Sequence, residues 1–270
     1  MNSKLISPPK LNLSWQGLFT LFMFFYMYLP ILVLGVYSFN DSAYSARWEG
    51  FSLQWYAQLF SDGRIARALE NSLLVALISV LISAALGTMM AVGLARFRFP
   101  GKTLYRGVSY LPLVIPDIAI AVATLVFLAV IGTPLSLGTI VAAHVVFCLA
   151  YVAIVVSARI TSLDPHLEEA ALDLGATPVQ AFIKIILPEL APAIIAGCLL
   201  SFVMSMDDFL ISSFTAGTGS TTFPMEIFSR IRTGVKPDIN ALSVLLMLAS
   251  AAVALVAEYF RSQGERKKRI

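Results

Sequence analysis

Six stretches of the chain, at about residues 16–38, 69–95, 107–131, 137–157, 191–214 and 239–260, are each long and apolar enough to cross a bilayer. A helix rises about 1.5 Å per residue, so about 20 apolar residues span the hydrocarbon layer. The reading is an all-α membrane protein with six transmembrane helices. Composition agrees: with 58% hydrophobic residues and only 13% charged among 270, and a mean hydropathy of +0.83, an ordinary soluble domain is excluded. The apolar part of the first run is too long for a signal-peptide core, and no small-residue cleavage site follows, so it reads as a retained span. The chain then divides into an N-terminal segment (1–15), a six-span domain (16–260) and a basic tail (261–270).

Lys and Arg set the orientation. With the N-terminus inside, the inner segments hold 13 of the 19 basic residues: Lys4, Lys10, Arg96, Arg98, Lys102, Arg106, Arg159, Lys184, Arg261, Arg266, Lys267, Lys268 and Arg269. The outer loops hold Arg47, Arg64, Arg67, Arg230, Arg232 and Lys236. Both termini are therefore expected to be cytoplasmic. In LARFRFPGK, Pro100-Gly101 supplies the bend after a positive-inside anchor. The net charge of +3 is no argument for nucleic acid, because the basic residues gather beside spans. Cys148 and Cys198 sit in apolar segments and read as small hydrophobes, neither a disulfide pair nor a metal site. Trp48, Trp55 and Tyr56 in the first outer loop suit the membrane interface. The outer stretch 215–238 opens with the Gly- and Thr-rich run Thr215–Thr222. FPMEIFSRIR then reads as a short surface helix. A solvated loop and a mobile gate or docking point both fit it.

Three acids fall inside predicted spans, where an Asp costs roughly 2.5–3.5 kcal/mol on insertion scales: Asp117, Asp207 and Asp208. No Lys or Arg shares those interiors. Asp117 follows Pro112 and Pro116 in a segment expected to kink, about 15 Å into the third span. It reads either as a cap on the restarted helix or as a contact for a cation. Asp207 and Asp208 are adjacent, and helix neighbours point about 100° apart, so both should not face one cavity equally. The pair suggests a water-lined cation path, because uncompensated negative charge suits a cationic cargo. His144, in the fourth span, suits an interhelical hydrogen bond, a substrate contact or a proton relay.

The polar island from Arg159 to Pro192 breaks the apolar pattern. Asp164 and Pro165 supply an N-cap and N1 pair. Leu167, Ala170, Ala171 and Leu174 follow one helical face, and Gly175 supplies a left-handed stop. Thr177-Pro178 starts a second short helix, which Pro188 ends or bends. His166 lies in the first helix and reads as solvated. The physics alone fits a plain connector or a docking element for a partner.

Within that island Glu169-Ala170-Ala171, three residues, Gly175, nine residues, Ile185, one residue, Leu187-Pro188 resembles the EAA loop of ATP-binding-cassette (ABC) importer permeases. The stretches YLPILVLGVYSFN, FSLQWYAQLF, RFRFPGK, IPDIAIAVATLVFL, AHVVFCLAYVAIVV, SFVMSMDDFLISSF and GVKPDINALS resemble the second permease subunit of spermidine/putrescine importers. The resemblance implies a type I importer permease in the bacterial inner membrane, with a cytoplasmic coupling helix between spans 4 and 5. It implies that Glu168, Glu169, Ala170, Ala171, Gly175, Ile185, Leu187 and Pro188 engage an ATPase. The implied partners are an ATPase dimer, a second homologous permease and an external substrate-binding protein. No Gly-x-x-x-x-Gly-Lys-Ser/Thr loop occurs here, so ATP and magnesium would belong to the ATPase. The chain itself would carry no cofactor and catalyse no reaction. The same machine could carry an aminophosphonate or an opine. A stand-alone carrier using Asp117 and His144 would leave the EAA spacing unexplained, and a purely structural protein would leave the intramembrane acids unexplained.

Overall fold

The structure, a computed structural model, describes residues 15–42, 47–164, 166–234 and 237–248. In chain order the helices are α1 (Trp15–Tyr37), α2 (Gln54–Ser61), α3 (Gly63–Arg96), α4 (Lys102–Tyr110), α5 (Asp117–Val130), α6 (Leu137–Ser162) and α7 (His166–Asp173). Then come α8 (Pro178–Ala181), α9 (Leu187–Asp207), α10 (Leu210–Thr215), α11 (Phe223–Thr233) and α12 (Pro237–Leu248). Among the described residues the one β element is an isolated antiparallel bridge, Asn40 to Phe51. The chain falls into two compact units, 1–62 with 230–270, and 63–229.

In the first unit, α1 is apolar on every side and buries none of its residues, as expected of a helix facing lipid or a partner. The loop after it is built on Asn40. Its Nδ2 donates to the Arg47 carbonyl at 2.6 Å, its Oδ1 accepts from Glu49 N at 3.0 Å, and its own carbonyl accepts from Trp55 Nε1 at 2.8 Å. Tyr56 bonds Ser38 at 2.8 Å. Trp55 and Tyr56 are thus tied into the loop by their polar ends. Arg230 joins Asp62 at 2.6 Å and Asp238 at 3.0 Å, with all three side chains largely buried.

In the second unit α3, α6 and α9 pack side by side. Small residues let α3 and α6 approach closely, the usual solution where apolar helices gain nothing from hydrophobicity alone. Ser79 and Ser83, one turn apart on α3, donate to the carbonyls of Val141 and Val145, one turn apart on α6. Between α6 and α9, Ser201 donates to the Cys148 carbonyl at 3.1 Å. Ala91, Val152, Ala153, Val156, Ile186 and Leu190 close the lower core. Cys148 and Cys198 are both free thiols.

Continuous helices cover the expected spans in three places and depart from them in two. Among the described residues four helices are long and apolar enough to cross a membrane: Trp15–Tyr37, Gly63–Arg96, Leu137–Ser162 and the continuous Pro178–Asp207. The third span, 107–131, is not one rod. Lys102–Leu113 and Asp117–Val130 meet at 106°, since Pro112 and Pro116 remove two donors and Pro116 lies outside helical geometry. The fifth, 191–214, ends early at Asp207, and α10 is a separate helix beyond the break. It also begins early. The expected second short helix, starting at Thr177, is instead the first part of this long helix, which carries a π-turn at Phe182–Ile186. The wider turn, in which Leu187 N bonds the Phe182 carbonyl, lets the helix run through Pro188. Of the sixth span, α12 holds the part up to Leu248. The rest of that span, 1–14 of the N-terminal segment and the basic tail lie outside the described residues.

Gly87 sets the distance between α3 and α6. A Cβ there would stand 2.9 Å from the Leu149 carbonyl oxygen and 2.9 Å from Val152 Cβ, whereas one at Gly93 meets nothing within 4 Å. Gly87→Ala should cost about 1–3 kcal/mol by overpacking. Gly93→Ala should stabilise by about 0.5–1 kcal/mol through helix propensity. Thermal unfolding of the detergent-solubilised chain reads both, and equal shifts would contradict the close approach.

Candidate functional site

Two helix breaks meet at one cavity. The turn between α4 and α5 brings Pro112 and Asp117 to it, the break after α9 brings Asp207, Asp208 and Phe209, and α6 supplies Phe147 and Tyr151. Met204, Leu210 and Ile211 complete the lining of a space of about 270 Å³. That lies just below the roughly 300–1,000 Å³ range of drug-sized ligand pockets, so it suits a small solute. All three acids singled out from the sequence line it. Aromatic faces and carboxylates together make an environment that favours a cation.

The two adjacent acids share the cavity because the helix ends between them. Asp208 has extended backbone angles (φ −69°, ψ 121°), so the 100° rule for helix neighbours does not apply. Their chemistry differs. Asp208 accepts from Ser212 N at 2.7 Å, Ser212 Oγ at 2.8 Å and Ile211 N at 3.2 Å, and His144 Nε2 lies 3.2 Å from it. It therefore satisfies the first amides of α10 and has a basic neighbour that the sequence did not reveal. Asp207 and Asp117 have no hydrogen-bond or ion-pair partner among the described residues, and both are exposed to the cavity side. Asp117 is the first residue of α5, where negative charge suits the helix dipole, but its side chain makes no capping bond. Its place is the restart after the bend, so its depth cannot be counted along one straight span.

His144 stands one layer back. It is fully buried, with Nδ1 2.7 Å from Ser205 Oγ and Nε2 within 3.2 Å of Asp208 and Ser212. These bonds join α6 to α9 and α10. Phe147 and Tyr151 went unnoticed in the sequence, although they follow His144 at helical spacing on α6 and meet edge to face at 6.5 Å. The Gly- and Thr-rich run is held down, too: Asn71 donates to the carbonyls of Gly219 and Thr221, and Thr139 to that of Thr215. Helix α11 begins at Phe223, whose N–H bonds Ser72.

The polar island forms the second candidate element. Asp164 accepts from His166 N at 3.0 Å; Pro165 lies outside the described residues. Helix α7 ends in a Schellman motif: Gly175 N bonds the Leu172 carbonyl, Ala176 N bonds that of Ala171, and Gly175 has φ +87°. Thr177 and Gln180 form a reciprocal capping box with Pro178 at N1. The expected apolar face splits. Leu167 and Ala171 turn inward, whereas Ala170 is exposed and Leu174 is 89% exposed, because the Schellman turn swings it out. Leu172, Val179 and Ile183 are exposed beside it. Glu169 projects into solvent and pairs with His166 at 3.0 Å. Glu168 turns back to Arg96. Ile185 packs on the lower core, Leu187 is half-buried and Pro188 is exposed.

Two outcomes follow. Asp208→Ala leaves two amides and the Ser212 hydroxyl without their acceptor and removes one partner of the buried imidazole, and should cost at least about 1–3 kcal/mol. Asp207→Ala, at an exposed carboxylate without a partner, should stay within about 0.5 kcal/mol. Unfolding midpoints in micelles compare them, and equal losses would contradict the difference in roles. The second concerns His166, whose pKa is raised by the hydrogen bond to Glu169 and by the charge of Asp164. A raised value means that the pair's contribution is present below the ordinary histidine range, near 6.5, and is lost as pH rises through the raised value. Imidazole NMR titration should show this shift, and Glu169→Gln should remove most of it.

Comparison with known proteins gives this geometry its context. Residues 83–269 match the family described as binding-protein-dependent transport system inner membrane component. The chain is 43% identical over 267 residues to the putrescine transport system permease protein PotI of Escherichia coli (strain K12), covering 96% of this chain and 95% of that one. It is 37% identical over 243 residues to the spermidine/putrescine transport system permease protein PotC of Haemophilus influenzae, covering 90% and 95%. A solved bacterial ABC transporter involved in the import of the acidic polysaccharide alginate superposes with a TM-score of 0.72 at 14% identity, over 90% of this chain and 94% of that one. That likeness shows the all-helical type I ABC permease fold. On the family match and these relatives, the chain belongs to the inner-membrane components of binding-protein-dependent transport systems and is a multi-pass permease subunit, not an enzyme.

Proposed function

We propose that this permease conducts a small organic polycation of the polyamine class, putrescine or spermidine, into the cytoplasm. The observation that carries the reading is the cavity where Asp117 and Asp207 stand without partners beside Phe147 and Tyr151. Carboxylates open to a shared cavity and without a protein partner attract an arriving ammonium. A neutral solute would gain nothing from these charges, and an anionic one would be repelled. The names of PotI and PotC support the same cargo. Asp208 and His144 hold the wall of the path, with the charge of Asp208 already engaged by its own donors.

The chain would work as six spans with both termini in the cytoplasm of a bacterial inner membrane, in a heterodimer with a second permease. An ATPase dimer, which holds the ATP and magnesium, would dock on α7 and the turn after it, through Glu169, Ala170 and Gly175 and the exposed Leu172, Leu174 and Val179. An external binding protein would deliver the cargo. Glu168, Ala171, Ile185 and Leu187 would serve this coupling from the inner side of the loop, and Pro188 from an exposed position on the long helix. No cofactor is required of this chain.

The test is uptake by the assembled importer in proteoliposomes, with putrescine, spermidine, ornithine and an aminophosphonate in competition. The polyamines should compete best. Asp117→Asn and Asp207→Asn should each raise the half-saturating polyamine concentration or lower the rate at least fivefold, while assembly persists. Unchanged uptake in both variants, or preference for the aminophosphonate, would overturn the proposal.

A further inference from the structure

Arg96 of α3 and Glu168 of α7 lie 72 residues apart in sequence, yet one guanidinium joins their helices. Arg96, the last residue of α3, donates from Nη1 to Glu168 Oε1 and from Nη2 to Glu168 Oε2, each at 2.8 Å. This is the bidentate fork that fixes orientation as well as distance. The same guanidinium lies 5.4 Å from the centre of the Phe182 ring, at the head of the π-turn. The two charged side chains are 26% and 29% exposed, so water screens the pair only partly. Beneath it Leu167 and Phe182 pack on the core that contains Ala91 of α3. Three elements therefore converge on Arg96: the end of α3, the island helix α7 and the start of the long helix toward Asp207. Glu169, Leu172 and Leu174 remain exposed, so the clamp leaves the outer side of the loop free.

We infer that Arg96 is a positioning residue that yokes α7 to α3, so that displacement of the loop by an ATPase moves α3 together with the helices the loop joins covalently, α6 and α9. This rests on the docking role proposed for the loop and adds the route by which its motion enters the unit. A flexible connector would reach α3 only indirectly, through the packing of α3 on α6, whereas the clamp couples the loop to the end of α3 directly. The fork, the ring contact and the shared core make the loop and the end of α3 one body.

The experiment uses the complete importer in proteoliposomes and measures assembly, binding-protein-stimulated ATP hydrolysis and cargo imported per ATP. Arg96→Gln should assemble and hydrolyse ATP within about twofold of the parent while importing at least tenfold less cargo per ATP. The charge-swapped double variant Arg96→Glu with Glu168→Arg should recover at least half of the ratio, which a merely structural loss at either site would not do. Should Arg96→Gln fail to accumulate, Arg96→Lys retains the charge without the fork and should lower the ratio about threefold. A parental ratio in either single variant overturns the inference. Leu174→Asp separates the two layers: it should abolish assembly if the loop docks. Loss of assembly there with a parental ratio in Arg96→Gln leaves the docking role standing and removes the yoke, whereas normal assembly removes both.

Discussion

Where a helix breaks inside an apolar chain, the amides and carbonyls that it frees must find partners within the protein, because hydrocarbon offers none. The second unit breaks twice, at Leu113–Asp117 and at Asp207–Leu210, and α5 and α10 that restart from those breaks pack on each other. Asp208 serves the second restart by accepting from two amides of α10 and from Ser212, and His144 anchors it to α6. Unwound backbone at such depth is tolerated where it lines a cavity. The cavity follows from the breaks.

The same requirement explains why three acids with one sequence signature have two roles. Asp208 is occupied by donors and belongs to the scaffold. Asp117 and Asp207 flank it with their oxygens open to the space they line. A pattern of Asp residues in spans reports only that something must compensate them. Whether that is the protein or a cargo depends on groups that the pattern does not announce, here the distant His144 and the Ser212 of the restarted helix around one of the three.

What was legible in the chain was local. The Thr177-Pro178 helix start, the Gly175 stop and the long apolar helices α1, α3 and α6 follow from short-range pattern, and each is present at or near the expected residues. What was not legible depends on long-range geometry. Pro112 and Pro116 announce a bend, but packing sets its 106°. Pro188 reads as a terminator until the π-turn ahead of it makes room. Leu174 fits the apolar stripe by count and leaves it because the Schellman turn changes the direction of the chain. The Thr215–Thr222 run has a loop's composition, yet Asn71, Ser72 and Thr139 hold it from elsewhere in the unit.

The two longest rods of the unit connect the same pair of regions. The helix Pro178–Asp207 starts in the polar island and ends at the cavity, about 45 Å at 1.5 Å per residue. Helix α3 has Arg96 clamped to the island at one end, and near the other has Asn71 and Ser72 bonded to the segment that leads into α11. Between them α3 and α6 are locked by Gly87 and two serine hydroxyls. A close-packed interior transmits displacement instead of absorbing it. A push at the island, as proposed for the docked ATPase, would therefore be felt at both far ends, at the carboxylates that would hold the cargo and at the segment beyond them. An alternating-access device needs that pairing, because opening one side without closing the other would only make a leak.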